Sequence, residues 1–167
     1  MEIMEYSIDM VKQNLCAQVW YDPDENGYIG LDLTDVIPQQ HLLTVNGVEL
    51  LPKAEYHCSL VAARQYTDGL ASEQSIADEV KLYLETNKLV FAGLGDDRYV
   101  CRKGDRTTII APVIIEGIED FRDFIRTIIP DYKPPFSHVT LLKSEVTEFC
   151  IGINSMSDLD LYCTKLV

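Results

Sequence analysis

Two short segments of the sequence share one pattern, in which a histidine is followed two positions later by a hydroxyl residue and then by leucine. The first segment is HCSL, beginning at His57, and the second is HVTL, beginning at His138. The chain has three histidines, and chance would place this pattern at two of them on the order of a few times in ten thousand. We therefore interpret the two segments as the two halves of one site.

Both segments are rich in strand-forming residues, and side chains alternate between the two faces of a strand. His57 and Ser59 then point to one face, as do His138 and Thr140, and the apolar residues between them point to the core. Each motif places an imidazole and a hydroxyl about 6 to 7 Å apart along one face.

Such a pair of motifs suits chemistry at a phosphodiester, where one oxygen must lose a proton while the leaving oxygen gains one. Imidazole titrates close to neutral pH, so two histidines can serve as general base and general acid. The hydroxyls of Ser59 and Thr140 can donate hydrogen bonds to the non-bridging oxygens. The residues beside the motifs are not carboxylates, and we expect neither a metal ion nor another cofactor.

The two motifs, 81 positions apart, resemble those of the two-histidine phosphoesterase superfamily, which includes 2′-5′ RNA ligase-like proteins and cyclic phosphodiesterases. The stretch PPFSHVTLL is particularly similar to the second motif of that superfamily. By this resemblance His57 and His138 match the catalytic pair, and Ser59 and Thr140 match the phosphate-binding hydroxyls. Serine at position 59 replaces the commoner threonine and keeps the donor.

The resemblance implies an α+β fold with two pseudo-symmetric lobes, each an antiparallel sheet with flanking helices, around a central cleft. Residues 1–167 would form this single domain, with one motif in each lobe. The implied activity is metal-independent hydrolysis of a small cyclic-phosphate or 2′-5′-linked nucleotide, or of a short RNA end. Two alternatives stay open: a phosphodiesterase directed at cyclic oligonucleotide signals, and a module that binds a phosphorylated nucleotide without turning it over.

Composition limits the partners. The chain has 167 residues, of which 47% are hydrophobic, and a net charge of -13 that disfavours duplex nucleic acid. No segment approaches the roughly 20 apolar residues of a membrane span, and the acidic N-terminal stretch does not resemble a secretory signal. We expect a monomeric cytoplasmic protein whose five cysteines, Cys16, Cys58, Cys101, Cys150 and Cys163, are free thiols and mostly buried.

Periodicity and turn residues predict the elements that position the motifs. The residues after Ile8 favour a helix only slightly over a strand. Two helices are expected, one over 72–87 with Ser72 as N-cap and one over 119–129. Strands are expected at 28–33, 41–45, 48–51, 55–64, 89–94, 98–103, 107–115, 136–142, 148–153 and 159–167, with an Asn46-Gly47 hairpin.

Several weaker signals have simpler interpretations. The acidic segment after Tyr21 resembles the start of a calcium loop, but position 12 is Leu33, so an acidic turn is favoured. Gly93-x-Gly95 is interpreted as a turn, and His41 as a structural residue. Cys58 faces away from His57, which argues against a cysteine hydrolase. Arg64, Lys143 and the basic residues between Arg98 and Arg106 could attract an anion, and Tyr56, Tyr66 or Phe136 could stack a base.

Overall fold

The computed structural model describes residues 19–22, 28–67, 70–145 and 151–166. These residues form an α+β fold, as predicted. The strands are β1 Val19–Asp22, β2 Tyr28–Asp32, β3 Leu43–Val45, β4 Val48–Pro52, β5 His57–Ala62, β6 Val90–Leu94, β7 Tyr99–Lys103, β8 Arg106–Glu116, β9 His138–Ser144 and β10 Cys163–Lys165. The α-helices are α1 Leu70–Thr86, α2 Ile118–Ile128 and α3 Met156–Tyr162, and a 3-10 turn spans Ala63–Tyr66.

The paired strands are all antiparallel. One sheet has the order β1-β2-β5, and the larger one has the order β10-β7-β8-β9-β4-β3, with β6 also paired to β8. The antiparallel strands curl into the shape of half a barrel. Register shifts at Ile29/Gly30, Phe91/Gly93 and Ile109/Ile110 mark β-bulges, and bulges bend a strand and increase its twist.

The main hydrophobic core joins α1 and α2 to the strands. Val80 and Leu84 come from α1, and Phe121 and Ile125 come from α2. Between the two helices the ring of Tyr83 stacks on Phe124 with centroids 4.3 Å apart. The core therefore covers one face of the strands that carry the two motifs.

The β3–β4 hairpin is confirmed at the predicted place. Asn46 and Gly47 have φ values of 48° and 79°, which is the left-handed pair that a two-residue hairpin needs. Strand β4 then pairs with the second half of β9, from Leu142 to Ser144. The chain thus arrives beside the second motif just before it enters the strand of the first.

The predicted N-cap of the first long helix is wrong. Helix α1 begins at Leu70, so Ser72 lies inside its first turn. Residues 19–22 are a strand, which is the alternative that the sequence left open for the N-terminal pattern after Ile8. The rest of that segment, and residues 23–27 of the acidic turn, lie outside the described residues.

The C-terminal strands are also predicted incorrectly. The described part of 148–153 is a loop whose Ile151 and Ile153 are buried. The expected strand over 159–167 is instead the end of α3 followed by β10. Ser155 caps this helix, because its hydroxyl accepts a hydrogen bond from the Asp158 amide at 3.1 Å.

The expectation of free thiols is wrong for two cysteines. Cys101 on β7 and Cys163 on β10 are cross-strand partners and form a disulfide with an S–S distance of 2.08 Å. Their separation of 62 positions left no local signal for this pairing. Cys58 is free and buried, as predicted, and Cys16 and Cys150 lie outside the described residues.

None of the helices in the described part of the chain is long and apolar enough to cross a membrane.

Candidate functional site

Strand β5 presents the first motif as the alternation predicts. Cys58 and Leu60 are buried in the main core, and His57 and Ser59 are half-buried on the opposite face. On the neighbouring strand β2, Asp32 is the cross-strand partner of His57. Cross-strand partners share a face of the sheet, so the Asp32 carboxylate lies on the same side as the imidazole.

A glycine allows β2 to approach this motif closely. Gly30 is paired with Ser59 at a β-bulge, and a Cβ atom on Gly30 would overlap the carbonyl oxygen of Cys58. Any larger residue would push the two strands apart. The position of the first motif therefore depends on the absence of a side chain at residue 30.

Strand β9 presents the second motif. Val139 and Leu141 are buried in the main core and His138 is half-buried. Thr140 is only 6% exposed, and it is paired with Ile110 of β8. Ile110 belongs to a second, smaller hydrophobic cluster, so Thr140 lies beside that cluster and deeper than the other three motif residues.

The structure brings the two motif strands together. Strands β5 and β9 are in contact, although they belong to different sheets. A second link joins the phenol of Tyr132, on the segment before β9, to the carbonyl of Leu60 at 2.8 Å. The amide of Lys53, in the connection from β4 to β5, lies 3.4 Å from the Leu141 carbonyl.

This arrangement decides which side chains share a face. The residues that alternate with the motif residues all lie in one core: Cys58, Leu60, Val139 and Leu141. On each strand the motif residues therefore lie on the side that faces away from this core. We call the four residues His57, Ser59, His138 and Thr140 the motif face.

The imidazole of His138 is held in one orientation. Its Nδ1 lies 2.6 Å from the carbonyl oxygen of Phe136, and its ring is nearly parallel to the Phe136 ring, with centroids 5.9 Å apart. A carbonyl oxygen can only accept a hydrogen bond, so Nδ1 carries the proton. In the neutral ring Nε2 then has a free lone pair.

The surroundings favour the neutral form of His138. Burial lowers the pKa of this imidazole below its ordinary value of 6.5, and the nearby positive charge of Lys53 lowers the pKa further. The bond to the Phe136 carbonyl raises the pKa but does not offset the burial. At neutral pH His138 is consequently an unprotonated base.

Burial has the opposite effect on Cys58. It raises the pKa of this thiol to about 12, although the His138 amide and the charge of Arg122 act to lower it. Cys58 is thus a neutral thiol in the core, and thiolates are the reactive form of cysteine. Its side chain faces away from His57, as the alternation along the strand predicts.

The sequence did not indicate four residues that lie beside the motifs, which are Asp32, Lys53, Arg122 and Tyr132. Lys53 comes four positions before His57, where its charge acts on His138. Arg122 on α2 donates hydrogen bonds to Ser137 and Pro135, just before the second motif. Proximity in sequence could have indicated Lys53, but nothing in the pattern of α2 distinguishes Arg122 from Arg126.

The basic residues that the sequence indicated as candidates for attracting an anion lie elsewhere or contact other groups. Arg98 donates to the carbonyls of Gly95 and Asp97. Lys103 lies over the ring of Tyr162, 4.9 Å from its centroid. Lys143 is on β9, five positions and roughly 16 Å along the strand from His138.

Of the three aromatic candidates, Phe136 is the one stacked on a motif histidine. Tyr56 is a core residue, and its hydroxyl accepts a hydrogen bond from the Gln40 amide. Tyr66 contacts the Tyr132 ring edge-on. His41, the third histidine, is exposed just before β3.

Among the described residues, no group of three or more His, Cys, Asp or Glu side chains is arranged to hold a metal ion. Comparisons with protein-family models, curated proteins and solved structures found no match to this chain. The case for a function therefore rests on the residues of the motif face.

Proposed function

We propose that this protein is a two-histidine phosphodiesterase that acts on a small cyclic-phosphate or 2′-5′-linked nucleotide. One observation carries the proposal. The strands β5 and β9 are in contact, and the apolar residues of both motifs enter one core, so each histidine and hydroxyl pair lies on the side of its strand that faces away from that core. We infer that the two imidazoles flank a single phosphate group.

His138 is the general base in this proposal. Its Nδ1–H donates a hydrogen bond to the Phe136 carbonyl, so Nε2 is the atom that accepts a proton from water or from a ribose hydroxyl. The activated oxygen forms a bond to phosphorus while the bond from phosphorus to the leaving oxygen breaks. A lowered pKa keeps the base ready at neutral pH.

His57 is the general acid. Its imidazolium gives a proton to the leaving alkoxide. After each turnover His57 regains a proton from solvent, and His138 releases to solvent the proton that it accepted. The hydroxyls of Ser59 and Thr140 donate to the non-bridging oxygens, on which negative charge develops. The Lys53 charge beside His138 supports this reaction in a protein of net charge -13, because an anionic substrate needs local positive potential.

The two pseudo-symmetric lobes around a cleft, which the family resemblance implies, belong to the same proposal. So do the monomeric state and the cytoplasmic location. The disulfide removes the argument for a reducing compartment that rested on free cysteines.

The proposal is tested with a panel of 2′,3′-cyclic nucleotides, 2′-5′ and 3′-5′ dinucleotides and cyclic oligonucleotides, with products separated by chromatography. We expect turnover of at least one member by the wild type. His57→Ala and His138→Ala should each lower kcat by about two to four decades. His41→Ala is the matched control, because it removes the third, exposed histidine, and should keep full activity.

Two outcomes would contradict the proposal. One is a wild type that turns over none of the substrates although it is folded by circular dichroism. The other is full activity in both motif variants. Tight binding of a phosphorylated nucleotide without turnover would favour the alternative of a binding module, and titration calorimetry on the same panel detects it.

A further inference from the structure

Arg122 on α2 contacts the segment that leads into the second motif. Its Nη2 donates to the Ser137 hydroxyl at 3.1 Å and to the Pro135 carbonyl at 3.4 Å. Its Nη1 forms an ion pair with Glu119 at 2.8 Å, and the Arg122 side chain is only 18% exposed. One guanidinium thus joins a helix to two residues that lie on either side of Phe136.

Phe136 is the residue that orients the His138 imidazole. Its carbonyl oxygen accepts a hydrogen bond from Nδ1–H, and its ring stacks on the imidazole. The direction of a carbonyl depends on the backbone torsions of the residues around it. Holding Pro135 and Ser137 therefore sets the direction in which the Phe136 carbonyl points.

We propose that Arg122 is a positioning residue for His138: by holding Pro135 and Ser137 it aims the Phe136 carbonyl at Nδ1 and leaves Nε2 as the base. This inference rests on the proposed function, because His138 acts as a base only in the proposed reaction. Arg122 acts through Phe136 and does not contact the substrate.

The planar guanidinium matters for this role. It offers several N–H donors in a rigid fork, whereas a lysine ammonium is a compact charge on a flexible stem. If Arg122 supplied only positive charge, a lysine at position 122 would preserve the orientation of His138. If Arg122 holds two acceptors in a defined geometry, a lysine should not preserve that orientation.

The direct test is the tautomer of His138, measured by two-bond 1H–15N correlation NMR on histidine-labelled protein. The His138 signals are assigned with His138→Gln. In the wild type, Nδ1 should have the shift of a protonated nitrogen and Nε2 that of an unprotonated one. In Arg122→Gln and Arg122→Lys we expect the two nitrogens to shift toward a mixture of both tautomers.

Ser137→Ala removes one acceptor without touching the helix, and a smaller shift in the same direction is expected. Arg126→Gln is the matched control, because Arg126 forms an equivalent ion pair with Asp123 one turn later on α2. This variant should keep the wild-type signals. A folded Arg122→Gln protein with an unchanged His138 tautomer would overturn the proposal. A wild-type tautomer of His138 in Arg122→Lys would overturn it too.

Kinetics on the substrate identified above provides the second readout. Arg122→Gln should lower kcat by about tenfold to 100-fold with little change in KM, as expected for a misplaced catalytic group. An equal rise in KM with unchanged kcat would overturn the positioning role. If the wild type turns over no phosphodiester, the proposed function fails, and the NMR experiment alone still decides whether Arg122 positions His138.

Discussion

The phenol of Tyr132 donates a hydrogen bond to the carbonyl oxygen of Leu60 at 2.8 Å. It joins the segment that leads into the second motif to the last residue of the first motif, although the two residues are 72 positions apart in the chain. Both side chains are buried in the main core, which lies on the opposite side of β5 from His57 and Ser59. The core thus ties the segment before β9 to the first motif.

We expect Cys58 to be protected from alkylation in the folded protein. It is fully buried, and its pKa is raised to about 12 by that burial. Iodoacetamide at pH 8 should label it only when the chain unfolds, because the thiolate is the reactive species. Mass spectrometry of the peptide that contains Cys58, with and without urea, measures this. Rapid labelling without urea would contradict its placement in the core.

Stability should fall as the pH drops below 6.5, in part because of His138. Burial and the Lys53 charge lower the pKa of the folded imidazole, so the unfolded chain binds more protons just below pH 6.5. Acidification therefore favours unfolding. Well above pH 6.5 the imidazole is neutral in both states, and His138 then has no effect on the pH dependence of stability. His138→Gln should show a flatter dependence of Tm on pH between 5 and 7.

The control for that experiment is His41→Gln, since residue 41 is exposed. It should follow the wild-type curve of Tm against pH. A wild-type slope that survives unchanged in His138→Gln would show that His138 makes no contribution.

Gly30→Ala should destabilise the protein and disturb the first motif. The added Cβ would overlap the Cys58 carbonyl, so β2 and β5 must separate. We expect a loss of about 1 to 3 kcal/mol in the free energy of unfolding, measured by urea denaturation, together with reduced activity. Gly104→Ala is a useful control: its Cβ meets open space but its φ is +62°, so about 1 kcal/mol is expected and activity should persist. A fully stable and active Gly30→Ala would contradict this view of the sheet.

The sequence predicts those parts of the fold that have local signals. The Asn46-Gly47 turn is specified by residues that tolerate left-handed torsions, and α2 by an apolar stripe that ends before Pro130. The alternation of buried and half-buried residues in β5 also follows from the sequence, because a strand has a period of two.

Features that depend on distant contacts could not be predicted in the same way. The pairing of Cys101 with Cys163 requires knowing that β10 lies beside β7. The short run after Met156 alternates like a strand, but the Ser155 cap and the burial of Leu159 make it helical. The contacts of Arg122 with the segment before β9 likewise arise only when α2 is packed in place.

Reduction of the disulfide should lower the stability of the C-terminal segment and of the whole domain. Cys101 and Cys163 are separated by 62 positions, and closing a loop of that size contributes up to about 4 kcal/mol in the chain-entropy description. Dithiothreitol should lower the Tm of the wild type. The double variant Cys101→Ser/Cys163→Ser should have a low Tm that the reductant does not change further. An unchanged wild-type Tm in the reductant would mean that the bond is absent or without effect.

The pH at which catalysis declines on the acidic side should depend on the positive charge of Lys53. We expect kcat/KM to follow a bell-shaped profile whose acidic limb reflects protonation of the base, and to be the same in EDTA. Because the Lys53 charge lowers the pKa of His138, Lys53→Met should move the acidic limb to higher pH. Initial rates from pH 4.5 to 8 on the preferred substrate measure the shift.

Lys143→Met is the matched control for Lys53→Met. It also removes one lysine, but this lysine lies on β9 itself, roughly 16 Å along the strand from His138. Screening at 0.15 M salt weakens interactions between charges beyond about 8 Å. Its acidic limb should coincide with that of the wild type. If the limb of Lys53→Met stays in place or moves to lower pH, His138 is not the group that titrates there. Assignment of the base would then pass to His57, whose variant should be examined by the same pH series.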